Sequence, residues 1–325
     1  MRVSRFIIIA ALIAGLVTGC AKNAKQTTGG TTSSSGQKPR IALIMKSLAN
    51  EFFKTMADGA QAHQKAHAAD YDLVVNGIKD ELDVNKQVEI VEQMVAQKVD
   101  AIVIAPADSK ALVSVCKKAS DAGIIVINID NRFDAGALKD SGLKAPFVGP
   151  DNRKGAKMVG EVLGKTLKPG DSVAIIEGAP NSFNGEQRKL GFEDAMKGAG
   201  MKITTSQTAY WETDKANALA RNIITAHPEI KALLCANDSM ALGALRAVEE
   251  SGKSGKIAVV GFDNISAAQD LVKEGKLLAT ADQHADQLAV FGIQYALDML
   301  AKKATPADKE TPVDLVTPGT LKSAK

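Results

Sequence analysis

Six apolar runs in the chain, IALIMKS, AIVIAPAD, IIVINID, SVAIIEG, ALLCAND and IAVVGFD, end abruptly in polar residues. Each is about one β-strand long, rich in Val and Ile, and followed by a segment that reads as helix. Runs that stay apolar rather than alternating imply strands covered on both faces, as in parallel sheets flanked by helices. In such α/β sheets ligands sit outside the carboxyl ends of the strands. Lys46, Asp108, Asp130, Glu177, Asn237 and Asp263 fall at those ends. The pattern implies a doubly wound fold that grips a small polar molecule.

The N-terminus gives a location. Arg2 and Arg5 precede an apolar stretch from Phe6 to Val17, which runs into Val-Thr-Gly-Cys. This arrangement resembles a bacterial lipoprotein signal. A signal peptide over 1–19 implies cleavage before Cys20 and lipidation of that thiol. The product is then lipid-anchored to a bacterial membrane and faces the periplasm or the exterior. An ordinary secretory signal or one membrane span are the alternatives, and the stretch is short for a span. Residues 20–38 hold the cysteine and then a run of Gly, Ser and Thr that reads as a flexible tether.

Charge excludes more than it suggests. The chain has 40 basic and 37 acidic residues, and loss of Arg2 and Arg5 with the signal leaves 38 against 37. So even a balance gives no footprint for nucleic acid. No His or Cys cluster has metal-ligand spacing, so neither a metal nor a cofactor is expected. Cys116 falls in an expected helix and Cys235 in an expected strand; core thiols are the ordinary reading, and a disulfide between them would tie two lobes together.

The elements expected along the chain form two α/β series. The first has strands Ile41–Met45, Leu73–Asn76, Ala101–Ala105 and Ile124–Ile129, with helices over 52–69, from Asp83, and from Asp108 to Asp121. Val84, Val88, Val91 and Val95 share one face of the helix that Asp83 caps. The second has helices 152–167, 184–199, 214–226 and 239–250 around strands Ser172–Ile176, Lys202–Ser206, Ala232–Ala236 and Ile257–Val260. Phe147–Pro150, Leu278–Ala281 and Val313–Val316 read as short crossover strands that make both domains discontinuous.

From Arg40 onward the stretches IALIMKSLANEFF, AIVIAPADS, INIDN, VGPDN, QRKLGF, TAHPEIKALLCANDSMALGALRA, VVGFD and ATADQHADQ resemble the periplasmic sugar-binding proteins of the ribose-binding type, receptors of ABC importers. The resemblance implies two Rossmann-like lobes with parallel sheets, joined by a three-strand hinge, with a sugar enclosed between them. It divides the chain into one lobe of 39–150 plus 284–312 and another of 151–283 plus 313–325. It also implies a permease partner, a monomer and no enzymatic activity.

Sugar hydroxyls both donate and accept, so a sugar site needs carboxylates, amides and guanidinium groups together with rings for the C–H faces. The resemblance assigns Asp130 and Asp263 as acceptors, Arg188 as a fork of donors, and Asn50, Asn237 and Gln283 as both. Phe52, Phe53 and Trp211 sandwich the ring, and Lys46 and Asn131 complete the set. Each has an ordinary rival role. Asp130 and Asp263 read equally well as helix caps, Arg188 as a solvated helix residue and Phe53 as core. Asn237 and Asp238 compete for one cap, and the reading here frees Asn237 for ligand. Glu177 and Asp108 read as caps or solvated loop residues, and His284 as a surface residue at the hinge.

Lys46 stands where ribose receptors have serine, Ala105 where they have asparagine, Asn131 where they have arginine and Trp211 where they have phenylalanine. Such changes argue against ribose and for another pentose, a hexose or a sugar alcohol. A receptor presenting a sugar-like signal to a chemotaxis or quorum-sensing partner is the alternative of another class. A transcriptional regulator lacks support without an N-terminal helix-turn-helix, and an enzyme would have to use Asp130 and Asp263 as acid and base.

Overall fold

A computed structural model describes residues 38–323. The signal over 1–19, Cys20 and the tether up to residue 37 lie outside the described residues. The first series runs β1 (Arg40–Ser47), α1 (Glu51–Ala66), β2 (Asp72–Ile78), α2 (Val84–Ala96), β3 (Ala101–Ile104), α3 (Val113–Asp121), β4 (Ile125–Ile129), α4 (Ala135–Ser141) and β5 (Phe147–Pro150). The second runs α5 (Asn152–Gly164), β6 (Ser172–Glu177), α6 (Phe183–Gly198), β7 (Lys202–Thr208), α7 (Thr213–Ala226), β8 (Ala232–Cys235), α8 (Asp238–Glu250), β9 (Ala258–Val260) and α9 (Ser266–Lys273). Then come β10 (Thr280–Asp282), α10 (Ala285–Leu300), β11 (Lys309–Thr311), β12 (Asp314–Val316) and α11 (Pro318–Ser323).

Two separate parallel sheets result, as the apolar runs require. One has the order β11-β5-β4-β3-β1-β2 and the other β7-β6-β8-β9. A small antiparallel pair joins β10 to β12, with Ala281 opposite Leu315. The chain passes from the first sheet to the second after β5, returns after β10, and crosses again between β11 and β12. The chain thus crosses between the two sheets three times, with β5 in the first sheet and β10 and β12 paired with each other. β1, β3 and β8 are almost wholly buried along their lengths, which explains why they carry so few polar residues.

Local chemistry sets the helix starts. Asp83 caps α2 through Lys86 N (3.1 Å), and Asp151 caps α5 through Lys154 N (3.0 Å). Two expectations shift. The helix expected from Asp108 begins instead at Val113, because the Asp108 carboxylate accepts from Lys110 N and Ala111 N and holds a turn there. The buried face of α2 centres on Gln87, Ile90, Val91 and Met94, with Val84, Val88 and Val95 only partly buried beside it. Gln87 is the reason: its Nε2 donates to Met45 O and Ala105 O, and its Oε1 accepts from Ala107 N, so one amide ties the ends of β1 and β3. Cys116 and Cys235 are buried free thiols, and burial pushes Cys116 up to about 12.

Candidate functional site

The strand ends and hinge converge on one small cavity of about 20 Å³, far below the roughly 300–1,000 Å³ of pockets for drug-sized molecules. The first-sheet side contributes Lys46, Asn50, Phe52, Phe53, Glu81 and Asp130; the second-sheet side contributes Asn184, Arg188, Trp211, Asn237 and Asp263, and Gln283 comes from the hinge. Each side chain but Asn50 is buried. All the candidates except Asn131 are therefore brought together.

At one end the Lys46 ammonium lies 3.3 Å from Asp130 Oδ2, both side chains being almost inaccessible. The same ammonium stands 5.7 Å from the ring centroids of both Phe53 and Trp211. At the other end Arg188 is fixed on three sides. Its Nε donates to Asn152 Oδ1 (2.8 Å), and its Nη1 donates to Ala236 O (2.8 Å) and Asp263 Oδ1 (3.2 Å). Its guanidinium lies 3.8 Å from the Phe262 ring centroid. Gln283 Nε2 donates to the same Asp263 Oδ1 at 2.7 Å.

Buried polar atoms are almost always hydrogen-bonded, so each exception calls for a partner. Asp130 Oδ2, Asn184 Oδ1 and Gln283 Oε1 are such exceptions, Asp130 having its ion pair but no hydrogen bond at that oxygen. Among the described residues a wider groove lies between α8, α9 and the start of β9, lined by Leu242, Leu245, Leu271 and several lysines. No buried polar atom without a hydrogen bond lines it.

Enclosure shows in the acid–base character of the site. Burial, aided by the Asp238 and Asp130 carboxylates, pushes Asp263 up to about 8 against the pull of Arg188 and the Gln283 hydrogen bond. Burial likewise raises Glu81 to about 7, although Lys46 opposes it. The backbone is also set for display: Asp130 (φ 60°), Trp211 (φ 72°) and Asp263 (φ 121°) all adopt left-handed conformations that non-glycine residues rarely take. The Trp211 indole lies so close to Gly178 that a Cβ there would sit 2.1 Å from the ring.

Residue roles differ in places from the sequence reading. Asn131 is buried but turned to structure: its Nδ2 donates to Pro106 O, and its Oδ1 accepts from Ser109 Oγ and Asn184 N. Asn237, read as free of capping, is itself the cap of α8 through Met240 N (2.9 Å) and still lines the cavity. The Asp238 carboxylate goes to Thr280 Oγ and Ile265 N instead. Asn50 also doubles as cap and lining residue, accepting from Phe52 N at 3.0 Å. Neither Asp130 nor Asp263 caps a helix: Asp134 caps α4, and α9 has no side-chain cap. Glu177 takes Ser206 Oγ and Lys189, and His284 Nε2 pairs with Asp314 Oδ2 at 2.9 Å. Glu81 and Asn184 were missed. Glu81 lies in the polar stretch Lys-Asp-Glu-Leu-Asp, where nothing separates a buried acid from a solvated one.

The periplasmic binding protein domain family matches residues 41–304. A D-ribose/D-allose-binding protein of Pseudomonas aeruginosa is 59% identical over 86% of this chain and 89% of its own. A solved ABC transporter solute-binding protein from Burkholderia multivorans is 57% identical with a TM-score of 0.84, over 86% of this chain and all of that one (100%). One from Actinobacillus succinogenes with bound D-allose is 39% identical with a TM-score of 0.83, over 88% of this chain and 100% of the other. The chain belongs to the periplasmic binding protein family.

Proposed function

We propose that the protein is the extracytoplasmic binding receptor of a carbohydrate ABC importer and that it encloses a single pyranose sugar, D-allose first among candidates. The observation that carries the reading is the group of buried acceptors without a hydrogen bond, Asp130 Oδ2, Asn184 Oδ1 and Gln283 Oε1, on residues that line a cavity walled by Phe52, Phe53 and Trp211. Acceptors of this kind suit a ligand rich in hydroxyl donors, and the rings suit its C–H faces. The names of the Pseudomonas and Actinobacillus relatives support an aldose of this class. The Pseudomonas name pairs ribose with allose, so ribose returns as a ligand to compare despite the changes at Lys46, Ala105, Asn131 and Trp211. The cleft binds without turnover.

The lobes comprise 39–150 plus 284–312 and 151–283 plus 313–325, and they close about the crossings near β5, β10 and β12. Sugar touching both lobes favours the closed form by its differential affinity. A membrane permease takes the closed monomer, and lipid on Cys20 keeps it at the membrane; no helix among the described residues is long and apolar enough to cross one.

A thermal-shift panel of D-allose, D-ribose, other pentoses and hexoses, and polyols tests the reading. A sugar at a hundredfold excess over its dissociation constant adds about 2.7 kcal/mol to stability. D-allose is expected to give the largest rise in Tm. No rise with any carbohydrate would remove the assignment.

A further inference from the structure

Helix α9 begins without a side-chain cap of its own. Its N-cap residue is Ile265, which has no side-chain oxygen to offer the first-turn N–H groups. The missing acceptor comes from the other side of the cleft: Glu51 Oε1, on the first residue of α1, accepts from Ser266 N at 2.9 Å and also from Ser266 Oγ. A carboxylate at a helix N-terminus is favoured both by the free N–H groups and by the helix dipole. Glu51 precedes Phe52 and Phe53 in the chain but does not line the sugar cavity.

Resting on the hinge-closing reading above, we propose that Glu51 is an inter-lobe cap: it completes α9 only when the lobes are shut and so sets sugar affinity without touching sugar. Opening the cleft moves α1 and α9 apart and exposes an uncapped helix end to water. Closure restores the cap. The contact is half exposed at the rim, so its weight falls at the lower end of the range for helix caps, worth roughly 2- to 5-fold in affinity.

Two substitutions approach the contact from opposite lobes. Glu51→Ala removes the acceptor. Ser266→Pro removes both donors while suiting the start of α9, since proline is favoured at the first helical position and Ile265 (φ −64°, ψ 157°) already has the extended conformation that precedes proline. Each is expected to weaken D-allose binding roughly 2- to 5-fold, chiefly by faster release. The double variant should be no weaker than either single one. The ratio of D-allose to D-ribose affinity should not move, and Glu51→Gln, which keeps a neutral acceptor, should recover part of the loss. Trp211 is the lone tryptophan and lines the cleft, so acrylamide quenching of its fluorescence reads opening in sugar-free protein. Quenching should rise in both variants.

Unchanged D-allose affinity together with unchanged quenching would overturn the proposal, as would losses that add fully in the double variant or a shifted sugar preference. Failure of the wild type to bind D-allose would instead count against the functional reading, and the quenching comparison alone would then decide the cap.

Discussion

Glu81 is a residue whose charge the cleft tolerates poorly. It is buried, hydrogen-bonded only by a long contact from Asn50 Nδ2 (3.4 Å), and raised from 4.5 to about 7. The folded form therefore keeps a proton that the unfolded chain releases above pH 4.5. The associated stability is complete below 4.5 and is lost as pH climbs through about 7. Glu81→Gln should accordingly flatten the fall of sugar-free Tm between those two pH values and raise Tm at pH 8, while leaving it nearly unchanged at pH 4. A parallel pH profile for the two proteins would show that Glu81 is ionised and at ease. The residue also shows where sequence reading stops. Asp130, Asn237 and Asp263 were legible because each ends an apolar run, a position with a fixed meaning in a parallel sheet. Burial of Glu81 depends on how the segment after β2 folds over the cleft mouth, and no local pattern records that. Asn131 failed for a similar reason: it is adjacent to Asp130 in sequence, but its amide turns to Pro106 O and Asn184 N, away from the cavity.

The elements that frame the site are specified largely by what ends them. Strands of β1, β3, β6 and β8 read clearly as apolar runs, and the caps at Asp83 and Asp151 fixed two helices. α10, a buried helix between two hinge crossings, was missed, since it is apolar around most of its surface and lacks a capping side chain at His284. The turn from β6 into α6 matters most for function. A Cβ at Gly178 there would run into the Trp211 ring, and one at Gly185, early in α6, would lie 3.1 Å from the same indole. Neither glycine carries a positive φ, so the requirement is space and not conformation. Gly178→Ala should displace the indole from the cavity wall and weaken sugar binding by roughly tenfold or more, a loss typical of a stacking partner moved out of register. Its effect on folding should be small because the loop lies at the cleft. The emission maximum of Trp211 should shift with the loss. A variant with wild-type emission and affinity would show that the ring has room to retreat.

At the scale of the molecule, the two sheets are separate and share one cavity between their strand ends. The cleft belongs to neither alone: Arg188 and Asp263 come from one side, Lys46, Asp130 and the two phenylalanines from the other, and Gln283 from the hinge. Further bridges flank the cavity, since Asn181 Nδ2 donates to Asp108 Oδ2 at 2.7 Å and Ser109 N donates to Asn181 O at 3.0 Å. Division into two sheets was legible from the repeated strand–helix grammar. The pairing of lobe surfaces across the cleft was not, because residues such as Asp108 and Asn181 are far apart in the chain and read separately as loop polar groups. The proposed function requires a sugar to lie in this shared space. Calorimetric titration of D-allose into the wild type and into Asp263→Asn tests it most directly. One sugar per chain is expected to bind, roughly 10- to 100-fold more weakly in the variant, the cost of a hydrogen-bonding group altered in a buried site. Equal affinity in the two proteins, or no heat with D-allose or any other aldose, would contradict it.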